Sequence, residues 1–213
     1  SVTPISIWRP ELEFENSDYT IISRWEANLK NRSQLRLQMF NRYTKLYDDF
    51  DPTRSDNAIP LPSNENYYYT SFEASFRSDQ RKKISYRINP SIGQFYNGKK
   101  YSLQTSLTLR LQPYFSGSIQ MNYDKIDLPN PYPDASIWLI GPKLDITFTK
   151  NIFWSTFFQY STQRENFSIN TRFQWRVAPL SDLFLVYNDN YATDVFSPKF
   201  RSLNLKFTYW LNI

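Results

Sequence analysis

The chain has 213 residues, a formal net charge of +5, no histidine and no cysteine. Without histidine there is no Ser-His or Cys-His catalytic pair and no His-ligated metal centre; without cysteine there is no disulfide framework. Aromatic residues reach 18% although hydrophobic residues total only 40% and mean hydropathy is -0.60, a combination that suits a wall with one face in lipid and the other in water.

No run of about 20 apolar residues occurs, so no membrane-spanning helix is expected. The chain opens Ser1-Val2-Thr3-Pro4, without an initiator Met or an apolar leader. A processed or truncated form of a longer protein is therefore expected. Period-two alternation then predicts about twelve strands. In chain order they are 4–15, 18–29, 34–47, 67–78, 83–96, 101–112, 114–126, 137–149, 152–164, 167–177, 183–191 and 200–213. Tyr19, Ile21, Trp25, Ala27 and Leu29 hold one parity against Thr20, Arg24, Glu26 and Asn28. Further along, Phe167, Ile169, Phe173, Trp175 and Val177 alternate with Ser168, Asn170, Arg172, Gln174 and Arg176. Most of these runs exceed the five or so residues usual in soluble sandwiches and match the roughly nine to eleven that a membrane strand needs.

The links sort by side. Alternate links are short, while the others include the three longest, 48–66, 127–135 and 190–199. Short turns on one side and long loops on the other are the habit of outer-membrane barrels. Pro52, Pro60, Pro62, Pro129, Pro131, Pro133 and Pro198 fall in the expected loops, where no ladder N–H is needed. Pro10, Pro90 and Pro142 fall inside expected strands and mark a bulge or a rim.

The expected interior face carries Arg24, Glu26, Arg36, Arg42, Glu73, Arg77, Arg87, Arg110, Asp145, Arg172, Arg176 and Lys206. Of these Arg87, Arg110, Arg172, Arg176 and Lys206 are the candidate lumen residues. Twelve tilted strands give a backbone diameter of roughly 25 Å, which long side chains would largely fill, so a lumen plugged by ion pairs competes with an open pore. The final strand places Leu203, Leu205, Phe207, Tyr209, Leu211 and Ile213 on one face. Leu205, Phe207, Tyr209, Leu211 and Ile213 are the candidate assembly signal, read by a barrel insertase through strand pairing. Trp8, Trp25, Trp138, Trp154, Trp175 and Trp210 suit an interfacial girdle.

The basic residues are scattered singly, which argues for solvated charges and against a nucleic-acid partner. Asp48-Asp49-Phe50-Asp51 is the densest acidic run, but it lacks the calcium-loop pattern and its glycine, so a solvated loop is expected. Asp124, Asp127 and Asp134 are read the same way, and Tyr67-Tyr68-Tyr69 with Tyr132 form a candidate stacking platform for a sugar. No nucleotide-binding, serine-nucleophile or metal-spacing motif is present, and no catalytic, cofactor or metal site is expected.

Segments Phe72–Asp79, Ile92–Gly98, Asn170–Arg176 and Ser181–Tyr187 resemble a Bacteroidota outer-membrane family. Its members carry a barrel-like region of unknown function after an N-terminal domain related to family 9 carbohydrate-binding modules. The resemblance spans roughly 67–213, lies in turn and strand-end patterns, and implies the C-terminal part of a longer protein. It transfers no catalytic residue.

The expectation is thus one all-β unit over 1–213, an antiparallel transmembrane barrel or part of a larger one. It would lie in the bacterial outer membrane, C-terminus periplasmic and long loops extracellular. Solute passage or accessory transport is the expected role; a scaffold subunit and a soluble carbohydrate-binding protein are the alternatives. Lipid with lipopolysaccharide, the barrel insertase and a second outer-membrane subunit are the expected partners, with no cofactor.

Overall fold

A computed structural model describes residues 1–9, 15–55 and 58–211. It contains twelve strands, β1 (Val2–Arg9), β2 (Glu15–Asn28), β3 (Gln34–Lys45), β4 (Asn66–Arg77), β5 (Ile84–Phe95), β6 (Gly98–Leu111), β7 (Phe115–Asp127), β8 (Ala135–Thr149), β9 (Ile152–Ser161), β10 (Asn166–Ala178), β11 (Ser181–Ala192) and β12 (Pro198–Thr208). They form one sheet in strict sequence order from β1 to β12, and every register described is antiparallel. The fold is all-β. No helix among the described residues is long and apolar enough to cross a membrane.

Chain contacts divide it into two compact units. The first holds 1–79, 87–105 and 122–137, and the second holds 80–86, 106–121 and 138–213.

In the first unit the register aligns side chains into cross-strand rows. One face carries the apolar rows Tyr19–Tyr43–Tyr68, Trp25–Leu37–Ala74 and Ala27–Leu35–Phe76–Ile88. The opposite face carries Arg24–Gln38–Glu73–Ser91 and Glu26–Arg36–Ser75. Strand side chains alternate sides, so period-two patterning and register together make two chemically distinct faces. In the second unit Ile146–Trp154–Phe173–Leu185–Leu205 runs unbroken across five strands, backed by Asp145–Ser155–Arg172–Val186–Asn204.

Burial runs opposite to a soluble sandwich. The buried apolar residues are Leu46, Leu61, Tyr69, Ile126, Leu128 and Ala192. Leu46, Leu61 and Leu128 lie in loops, while Tyr69, Ile126 and Ala192 share the polar parity. On the apolar parity, Trp25 is 55% exposed, Phe72 54% and Leu205 70%.

Three expectations about boundaries are corrected. The first strand is Val2–Arg9 rather than 4–15, because β2 already starts at Glu15, which pairs with Arg9. Pro10 lies outside the described residues. The last strand begins at Pro198 and stops at Thr208 rather than running to 213. Its partner β11 starts at Ser181, and the next free amide, Trp210 N–H, donates to the Ser181 hydroxyl (3.0 Å). Pro198 is therefore the first strand residue, where its missing N–H is harmless, and not a loop residue.

The third correction concerns the links. The two longest, 46–65 and 128–134, do share a side, but the 193–197 link is shorter than the opposite turn 78–83. On the long-loop side Tyr96-Asn97 alone joins β5 to β6. Tyr96 takes a positive φ of 52°, the left-handed geometry a two-residue hairpin link requires.

Pro90 and Pro142 do sit inside strands. Pro90 falls between the pairs Glu73↔Ser91 and Phe76↔Ile88, and Pro142 between Ile140↔Tyr160 and Lys143↔Phe157. Register is the same on both sides, so each proline is absorbed without a slip.

Candidate functional site on the polar face

The polar face of the first unit holds a cleft of about 280 Å³ along β3 to β7. Arg42, Glu73, Lys100, Asp124, Gln94 and Gln104 supply its charge and amides, and Tyr69 and Phe95 its aromatic wall. Gly93 forms part of the lining because β4 and β5 approach closely there. A Cβ on Gly93 would meet the Ser71 Cα at 2.3 Å and the Thr70 carbonyl oxygen at 2.5 Å.

Charge in the cleft is partly internalised. Lys100 Nζ lies 3.1 Å from Asp124 Oδ2, and the other oxygen of Asp124 accepts from the Ser102 hydroxyl. Arg42 donates to the Ser71 hydroxyl (2.8 Å) and lies 4.4 Å from the Phe40 ring centroid. Among the described residues Glu73 makes no ion pair, and it flanks Ser71 two positions along β4. The cleft thus presents a cation engaged only by neutral groups beside an uncompensated carboxylate. It offers donors, acceptors and ring faces to a polar solute, with no nucleophile–base pair.

In the 46–65 loop the acids hold backbone amides of the described residues. Asp51 accepts from the Thr53 amide (2.8 Å), the Thr53 hydroxyl (2.7 Å) and the Ser55 amide (2.9 Å), and Asp49 from the Ser63 amide (2.8 Å). These carboxylates organise backbone, and no group of three or more potential metal-binding side chains occurs among the described residues. Asp134 likewise accepts from the Leu128 amide (2.9 Å), and Asp127 pairs with Lys125 at 3.2 Å. Phe50 bridges to Leu61, and the Phe50 ring packs 5.5 Å from that of Tyr96. Tyr96 also meets Tyr67, Tyr69 and Phe95. The expected sugar platform is thereby split: Tyr67 and Tyr69 pack on Tyr96, while Tyr68 points to the apolar face beside Tyr43.

Burial in this aromatic cluster pushes the Tyr96 phenol up to about 12. An unfolded tyrosine titrates near 10, so the folded chain holds this proton more tightly. The resulting stabilisation is complete below a pH of about 10 and fades as pH rises toward about 12. Urea titrations over that range are expected to show a steeper alkaline loss for the native chain than for Tyr96→Phe. Equal slopes would remove Tyr96 as the cause.

The candidate lumen residues share the polar parity but differ in engagement. Arg110 donates to the Gln80 carbonyl (2.9 Å) and to the buried Ser85 hydroxyl (3.1 Å). Arg176 lies 3.7 Å from Asp182. Among the described residues Arg87, Arg172 and Lys206 have no acidic partner. In the candidate assembly signal, Leu205 and Phe207 stand in β12 opposite Leu185 and Leu183. Tyr209 and Leu211 lie beyond the strand, with Tyr209 stacked on Phe207 at 6.2 Å. Ile213 is outside the described residues. Trp8, Trp25, Trp138, Trp154 and Trp175 fall in strands and Trp210 just past β12; Trp25, Trp138, Trp154 and Trp175 share the apolar parity, and all six are at least 37% exposed.

One cluster escaped the sequence reading. Asp189, on the apolar parity of β11, is 2% exposed. It accepts from Tyr187 (2.5 Å), Tyr191 (2.8 Å) and Arg201 (3.0 Å), and Arg201 also reaches the Tyr191 hydroxyl at 2.7 Å. The signal was an acid and a base on otherwise apolar faces, which only the register Asp189↔Arg201 joins.

No family model matches the chain, and no curated protein matches it.

Proposed function

We propose that the chain forms the wall of a bacterial outer-membrane β-barrel, with its C-terminus periplasmic, its long loops outside, and a role in solute passage or accessory transport. The observation carrying this reading is the inverted burial: in each unit the apolar side chains of one parity are exposed or half-buried, while the buried apolar groups sit on the polar side or in loops. Such a surface aggregates in water and is satisfied by lipid. Trp138 and Phe148 border the apolar face of β8. Ten residues at ~3.4 Å, tilted by ~40°, give about 26 Å, close to the apolar band of such barrels. Lipid and lipopolysaccharide would contact this face, and an insertase would pair with β12. The earlier-noted resemblance to a Bacteroidota barrel family agrees with this reading.

The solute route would run along the polar face, past the cleft. No catalytic step is proposed. Single-channel recording in planar bilayers tests passage. Stepwise conductance is the expected result, and a folded, inserted but silent protein would remove transport. A scaffold role within a larger envelope complex is favoured by one feature, β1, whose residues are all exposed. Stable co-purification with a second outer-membrane protein would support that role.

A further inference from the structure

We propose that Arg77 and Arg87 form a binding site for the phosphate or carboxylate group of a soluble solute on the polar face. The inference deepens the passage reading and rests on it only for the route by which the anion arrives.

The two arginines are direct cross-strand partners, Arg77 on β4 and Arg87 on β5. Like charges placed directly opposite destabilise a sheet. Elsewhere on this face of the unit three cations have an acid within ion-pair distance, and Arg42 donates to the Ser71 hydroxyl. Arg36 lies 2.6 Å from Glu26, Lys100 lies 3.1 Å from Asp124, and Arg24 lies 4.0 Å from Glu26. The row Asn28–Gln34–Arg77–Arg87 has no acid at all. Both guanidinium groups are exposed, and among the described residues neither has a carboxylate or hydrogen-bond partner.

The neighbours complete a cradle. Gln34 pairs with Arg77 from the other side and brings an amide donor. Arg36, in the next row, engages Glu26 through Nε alone, leaving its terminal nitrogens available. Asn89 is held by the Ser75 hydroxyl at 2.7 Å, which keeps that side chain out of the arginine row. Strands ~4.8 Å apart set the two guanidinium forks at a separation one tetrahedral or planar oxyanion can bridge, with bidentate geometry at each. An anion there converts a repulsive pair into two charge-assisted contacts.

The test uses the full chain folded in an uncharged detergent, with inorganic phosphate as the probe and chloride at matched ionic strength as the reference. Thermal unfolding of the native chain is expected to shift upward with phosphate and to saturate. Arg87→Gln is expected to weaken the half-saturating phosphate concentration by about tenfold or more. In chloride that variant should be at least as stable as the native chain, because the repulsion is gone. Arg87→Lys keeps the charge but loses the fork and should fall between. Identical behaviour in phosphate and chloride, or an undiminished phosphate response in Arg87→Gln, would overturn the site. A phosphomonoester added free, against the same headgroup in lipid micelles, separates a solute from a lipid source; preference for the lipid form would contradict the soluble-solute assignment. Phosphate binding with no conductance would leave this site standing and remove passage.

Discussion

Replacing Leu185 with arginine is expected to cost about 2–4 kcal/mol of folding stability in a lipid bilayer. Leu185 lies in the row Ile146–Trp154–Phe173–Leu185–Leu205 and is 38% exposed. In water an exposed leucine exchanged for arginine changes stability by only about 0.5 kcal/mol, since the guanidinium stays hydrated. In hydrocarbon the same group must be dragged from water or must thin the bilayer around it. Arg172, which precedes Leu185's cross-strand partner Phe173 and lies on the opposite face, should tolerate Arg172→Gln within about 0.5 kcal/mol. Urea titration of the chain refolded into phosphatidylcholine vesicles measures both. A large penalty at 185 with a small one at 172 is the expected pair, and equal small effects would mean that no lipid touches Leu185.

Gly93→Ala is expected to cost about 1–3 kcal/mol although it adds one methyl group. The new Cβ would lie 2.3 Å from the Ser71 Cα and 2.5 Å from the Thr70 carbonyl oxygen, and both are backbone atoms. Backbone cannot swing away as a side-chain tip can, so β4 and β5 must separate. The pairs Ser71↔Gly93 and Phe72↔Ile92 would loosen, and the cleft lining would move with them. Gly117→Ala is the control. Its nearest neighbours are the tip atoms of the Phe115 ring at 3.0 and 3.1 Å, and that ring can rotate. The same urea titration should show a much smaller loss at 117, and comparable losses would mean that Gly93 is not held by close strand approach.

The extent of the strands was legible from alternation because period two is a local property. The boundaries of the ten interior strands lie within three residues of the expected ones, and the register puts Arg172, Arg176 and Lys206 on the polar parity. Alternation assigns a face but never a partner. The opposition of Arg77 to Arg87 and the burial of Asp189 by Arg201 and two tyrosines are consequences of register, so no single strand displays them. The end of β12 was misread for a related reason. Tyr209 and Leu211 keep the alternating pattern, yet β11 begins at Ser181 and offers no further ladder partner. Asp49 and Asp51 looked like bare acids because their partners, the amides of Ser63, Thr53 and Ser55, are backbone groups that side-chain patterns cannot register. Tyr96 was expected to end the strand 83–96, and its ring partners Phe50, Tyr67 and Tyr69 come from a loop and a neighbouring strand that its own segment does not display.

The most direct test of the membrane-wall account is a nitroxide scan along β10, residue by residue from Phe167 to Trp175, with the chain reconstituted in lipid vesicles. Collisions with oxygen, which concentrates in lipid, should peak at Phe167, Ile169, Thr171, Phe173 and Trp175. Collisions with a water-soluble nickel chelate should peak at Ser168, Asn170, Arg172 and Gln174. A strict two-residue alternation in opposite phase for the two probes is the result the account predicts. Nickel accessibility at both parities, or protein recovered in the aqueous fraction with no lipid-phase signal at any position, would contradict it.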